Sequence, residues 1–184
     1  NGNVTLKINP SQKSTFGVYL RLPGWVQGET FTNGLYNFAP KPTAPVLVKV
    51  NGREVSIQQE KGYLVINREW KTGDVVEYFL PLQVNKVVAK SDLKFNTHRV
   101  ALQYGPLVYC VEGADNNGKA WNILLPDHTP LQPEDYKIAD EPVTALVAEV
   151  PVVTVAEDGL SLKTENKKII AIPYYTWANR GKNE

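Results

Sequence analysis

The sequence predicts an all-β protein of sandwich or jelly-roll architecture, and three observations carry that reading. Short apolar alternations bounded by turn residues recur at a spacing of roughly 8–12 residues. No apolar period of the helical kind is sustained along the chain. The 184 residues also include 13 Gly and 13 Pro, residue types that tight turns between short strands consume.

The elements follow in order. Residues 4–8 (Val-Thr-Leu-Lys-Ile) alternate cleanly and stop at Asn9-Pro10. Residues 16–22 form the next run and end at Pro23-Gly24. Residues 46–50 lead into Asn51-Gly52 and residues 53–57 lead out. Two β-prone runs joined by Asn-Gly predict a tight hairpin, because both turn residues tolerate positive φ. Strands are expected over 63–66 and 75–80, with 71–74 (Lys-Thr-Gly-Asp) as the turn between them. The polar stretch 89–92 loosely divides the chain. Beyond it, 99–104 and 107–112 read as a strand pair broken at Gly105-Pro106. A strand over 121–125 and a Pro-rich turn region over 126–133 follow, then strands over 143–155, 160–163 and 168–172.

Composition narrows the function. Hydrophobic residues make up 42% of the chain, enough to bury a core. The 20 basic and 19 acidic residues leave a net charge of +1 and no overall footprint for a polyanion, so nucleic acid is not an expected partner. The apolar run 143–155 is interrupted by Glu149 and Pro151, and no stretch approaches the roughly 20 residues of a membrane span. Cys110 is the single cysteine, so no internal disulfide is possible. A chain that opens at Asn1 and contains no Met reads as a piece of a longer precursor.

Catalytic signatures are sparse. Only His98 and His128 could serve as an imidazole base, and no Gly-x-Ser-x-Gly elbow accompanies them. One cysteine and two distant histidines do not make a zinc site. Cys110, within 107–111 (Leu-Val-Tyr-Cys-Val), reads as a small buried residue of a core strand. No phosphate-cradling glycine loop is present. The carboxylate pairs Glu134/Asp135 and Asp140/Glu141 lie in turn-like sequence and read as solvated loop charges. Aromatic residues remain. Trp25, Trp70, Trp121, Trp177, Tyr174 and Tyr175 could stack on a sugar ring or could pack in a core. Trp25 and Trp70 flank predicted strands and lean towards packing, whereas Trp121 and Trp177 adjoin Asn-containing loops and leave both readings open.

Four strings in order resemble one family. They are 20–25 (Leu-Arg-Leu-Pro-Gly-Trp); 50–52 with 61–64 and 68–74; 99–112 (Arg-Val-Ala-Leu-Gln-Tyr-Gly-Pro-Leu-Val-Tyr-Cys-Val-Glu); and 172–181 (Ile-Pro-Tyr-Tyr-Thr-Trp-Ala-Asn-Arg-Gly). Together they are similar to the region that follows the catalytic domain in β-L-arabinofuranosidase-like enzymes of glycoside hydrolase family 127. The resemblance implies two consecutive β-sandwiches, residues 1–90 and 94–184, the second lacking its last strand because the family's Met-x-Val-Trp segment is not reached. It implies a catalytic (α/α) barrel elsewhere in the same polypeptide, with a zinc ion and a cysteine nucleophile in a retaining mechanism. None of those residues falls in this chain, and Cys110 does not correspond to the nucleophile. The expected role is a non-catalytic accessory region that supports the barrel and forms a homodimer contact through aromatic-rich ends. The rival reading is a module that binds plant arabinosides or polysaccharide through Trp121, Trp177, Tyr174, Tyr175, Asn179 and Arg180. An independent enzyme is the third reading. A periplasmic or extracellular location is implied by the resemblance alone.

Overall fold

The structure, a computed structural model, describes residues 2–30 and 34–181. It is all-β, with only short 3-10 turns among the described residues. The chain separates into two compact units, Asn1–Val100 and Ala101–Glu184.

The first unit holds strands β1 (Asn3–Ile8), β2 (Ser14–Arg21), β3 (Tyr36–Phe38), β4 (Leu47–Val50), β5 (Arg53–Glu54), β6 (Gln58–Glu60), β7 (Tyr63–Trp70), β8 (Asp74–Phe79) and β9 (Val84–Ala89). One sheet has the order β1-β8-β4-β5 and a second the order β2-β7-β6. The two sheets contribute to a single core. Leu20, Leu64, Ile66 and Trp70 come from one, and Val48, Val50, Val76 and Tyr78 from the other. Alternate side chains along each strand point to one face, which is why residues two apart enter the core together. Trp70 is fully buried, and its indole N–H donates to the Phe16 carbonyl at 2.9 Å, so burial leaves no polar group unpaired. Strand β3 pairs with β9 antiparallel, with Tyr36 opposite Ala89.

The Asn-Gly hairpin forms where the sequence expects it. Asn51 and Gly52 have φ of 52° and 78°, and Val50 pairs with Arg53. The Asn51 amide also ties this turn to the one before β8. Its Nδ2 donates to Asp74 Oδ1 at 2.9 Å, and its Oδ1 accepts from the Val75 N–H at 2.8 Å. The Lys71 N–H donates to Asp74 Oδ2 at 3.0 Å. The Lys71 amide, then the Asn51 side chain, hold the Asp74 carboxyl below its ordinary value.

The second unit holds β10 (Val100–Tyr104), β11 (Leu107–Val111), β12 (Gln132–Ile138), β13 (Glu141–Val155) and β14 (Leu162–Pro173), in the sheet order β12-β13-β14-β11-β10. Its spine is the long β13–β14 hairpin, paired from Leu146 opposite Ala171 out to Val155 opposite Leu162. Ala145, Leu146, Val150, Ala171 and Ile172 are fully buried.

Several expectations need correction. The separate strands expected over 160–163 and 168–172 are one strand, β14, because pairing to β13 carries the backbone through the polar residues 163–168. The strand expected over 121–125 is reduced to a bridge between Ile123 and Val152. Residues 55–57 do not extend β5; Val55 and Ile57 instead pack against the core of the first unit. Strand β12 begins inside the expected turn region. It is an edge strand, where a proline such as Pro133 is tolerated.

Candidate functional site

The aromatic group of the second unit is built at the end of β14. Pro173 is extended, with φ −57° and ψ 132°, and the chain then turns through a 3-10 segment, Tyr174–Thr176. Thr176 Oγ1 donates to the Pro173 carbonyl at 2.6 Å, and the Trp177 N–H to the Tyr174 carbonyl at 3.0 Å. That turn brings Tyr174 and Trp177 into a parallel stack, with ring centroids 5.6 Å apart and planes 8° from each other. Both rings are about half exposed and Tyr175 is exposed beside them. Because the rings cover one another, a ligand would meet the outer face of the stack and not a two-ring floor.

A clasp of charged groups holds the residues that follow. Glu112, at the end of β11, is completely buried. Its Oε1 accepts the Ala178 N–H at 2.5 Å and its Oε2 accepts from the Arg180 guanidinium at 2.6 Å. Arg180 also donates to both carboxylate oxygens of Asp115, at 2.6 and 2.5 Å. The Tyr136 hydroxyl, from β12, donates to Asp115 Oδ1 at 2.7 Å. Asn116 fixes the neighbouring turn, donating to the Glu112 and Ile170 carbonyls and accepting the Ile170 N–H. Burial raises the Asp115 carboxyl, but the hydrogen bonds from Arg180 and Tyr136 outweigh it and leave it below its ordinary value. The same hydrogen bonds, from Asp115 first, push Arg180 upward against the effect of burial.

Of the residues singled out in the sequence, Tyr174, Tyr175 and Trp177 therefore lie together and Asn179 is exposed next to them. Arg180 directs its guanidinium into the clasp. Trp121 is exposed on a different segment, before the Ile123 bridge. Trp70 is core, and Trp25 packs against that core. Glu112, Asp115, Asn116 and Tyr136 carry no local signal, since they meet Arg180 or β14 only through long-range folding.

His98 and His128 are both exposed. The Cys110 thiol is pushed up to about 11 by burial and then by the charges of Glu112 and Asp115, which keeps it protonated and unreactive at neutral pH. Among the described residues no group of three or more His, Cys, Asp or Glu is placed to hold a metal ion. No helix among the described residues is long and apolar enough to cross a membrane.

Two β units, an exposed aromatic stack and a buried ionic clasp make this an all-β region of the sandwich type. Comparison with known proteins gives it a family. Residues 1–82 match the β-L-arabinofuranosidase middle domain of family 127, and residues 84–184 match the glycoside hydrolase family 127 C-terminal domain. A non-reducing end β-L-arabinofuranosidase from Bifidobacterium longum subsp. longum is 32% identical over 180 residues, covering 88% of this chain and 24% of that protein. The structure of a family 127 β-arabinofuranosidase superposes with a TM-score of 0.90 at 34% identity, over 98% of this chain and 28% of that one. A family 127 β-L-arabinofuranosidase from Geobacillus stearothermophilus T6 gives 0.81 at 30% identity, over 99% and 27%. The chain belongs to glycoside hydrolase family 127, of whose middle and C-terminal region it is a representative, and it spans about a quarter of the length of these relatives.

Proposed function

We propose that this chain is the non-catalytic accessory region of a glycosidase acting on β-L-arabinofuranosides, and that it supports a catalytic barrel in the same polypeptide. The observation that carries the reading is coverage: the chain accounts for the middle and C-terminal domains and about a quarter of its relatives' length. The barrel, its zinc and its retaining chemistry belong to the remaining length in this reading. Secretion to the periplasm or beyond is part of the same proposal. The test is activity on an aryl β-L-arabinofuranoside. The chain alone is expected to be inert, and the polypeptide that contains the barrel is expected to lose thermal stability and turnover when this region is deleted. Turnover by the isolated chain would overturn the proposal.

A second reading is favoured by one observation, the half-exposed Tyr174–Trp177 stack. It is that the region binds arabinose-containing glycans on that stack, or that the same surface forms a homodimer contact. Intrinsic tryptophan fluorescence titrated with arabino-oligosaccharides separates these outcomes. A saturable change abolished in Trp177→Ala supports glycan binding. Concentration-dependent sedimentation abolished by the same substitution supports dimerisation.

A further inference from the structure

A cleft of about 180 Å³ opens in the second unit between residues 116–123 and the β13–β14 hairpin. Its floor is set by strand register. Val150 pairs with Lys167, Ala148 with Ile169 and Val152 with Glu165; paired residues and those two apart share a face, so Val152, Thr154, Lys167 and Ile169 look the same way. Ile123 joins them through its bridge to Val152. The facing wall is pinned in place. Asn122 Nδ2 donates to the Val153 carbonyl at 2.9 Å, and Asn116 is bonded to both backbone groups of Ile170. The cleft is thus preformed, with an apolar floor and polar rims.

Its charge departs from the near-neutral balance of the chain. Lys119 lines one side and makes no ion pair among the described residues, and Lys167 lines the other. No carboxylate among the described residues lines the cleft, and Glu165, which Lys167 approaches from the rim, is shared with Lys163, so Lys119 and Lys167 leave the cleft net positive. Lys168 also lines the cleft, but its ammonium is bound by Glu134 at 2.8 Å. The cleft's size and open mouth suit one sugar-sized ring lying on the floor.

We propose that this cleft binds a single sugar residue bearing a carboxylate, a hexuronate within a glycan. Its carboxylate sits between Lys119 and Lys167, its apolar ring face lies over Ile123 and Val152, and its hydroxyls meet Asn117 and Thr154. The proposal is independent of the Tyr174–Trp177 reading, since it uses none of those residues.

The experiment is calorimetric or NMR titration of the full chain with galacturonic acid, its methyl ester and inorganic phosphate. Saturable millimolar binding of the acid is expected, with the uncharged ester clearly weaker. Lys119→Ala and Lys167→Ala should each weaken binding about threefold to fivefold, Lys119→Arg should restore most of it, and added salt should weaken it progressively. Trp177→Ala should leave it unchanged. Equal binding of acid and ester, competition by phosphate at the same concentration, loss of binding in Trp177→Ala, or no saturable binding would each overturn the proposal.

Discussion

The two units spend burial on different chemistry. The first is organised around Trp70, an apolar side chain with one satisfied donor between two sheets. The second anchors its C-terminal turn on Glu112, a fully buried carboxylate whose oxygens are divided between a backbone amide and a guanidinium. The apolar core gains from area removed from water and is insensitive to pH. The ionic clasp must recover the cost of desolvating charge through complete hydrogen bonding, so it contributes less net stability but fixes one geometry. What it fixes is the position of residues 178–180, directly after the exposed aromatic stack.

The largest effect that would break this contrast is in the first unit. Trp70→Ala is expected to cost about 3–5 kcal/mol, from lost burial and the cavity left behind, measured as a shift in the urea midpoint. A loss below 1 kcal/mol would show that the core does not depend on this ring. Glu112→Gln should cost less, about 2 kcal/mol, because Arg180 keeps Asp115 as a partner while Glu112's own charge-assisted bonds are weakened. Its more specific mark is a change in Trp177 emission, which Trp70→Ala should not imitate. The smallest effect is in pH. Asp115 has its folded value below its ordinary 3.8, so its contribution to stability is complete above that pH and is lost as pH falls through the lower folded value. Asp115→Asn should therefore flatten part of the decline in stability below pH 3.8. The part contributed by Asp74, whose value is also lowered, should remain.

How much of this was legible in the sequence varied with how local the cause was. Asn51-Gly52 announced its hairpin because positive φ at both positions is a property of those two residues. Residues 63–66 announced β7, but its extension to Trp70 depends on Ser14–Arg21 lying alongside and pairing with the polar Asn67, Arg68 and Glu69. β6 and β12 were silent, because the sequence Gln-Gln-Glu and the polar run from Gln132 have no apolar alternation to display. The aromatics at 174, 175 and 177 stood out as a group, yet their stacking follows from the turn after Pro173. The clasp could not be read at all, since Glu112 and Arg180 are 68 positions apart and neither neighbourhood predicts the other.

That separation has a kinetic consequence. A contact closing so long a loop repays its entropy only after the strands between its ends have already paired. Refolding of the second unit should accordingly order the β13–β14 hairpin early and the clasp late. The Tyr174–Trp177 surface then becomes the last part of the unit to mature and the first to be lost under mild denaturant, a local opening that precedes loss of the sheet.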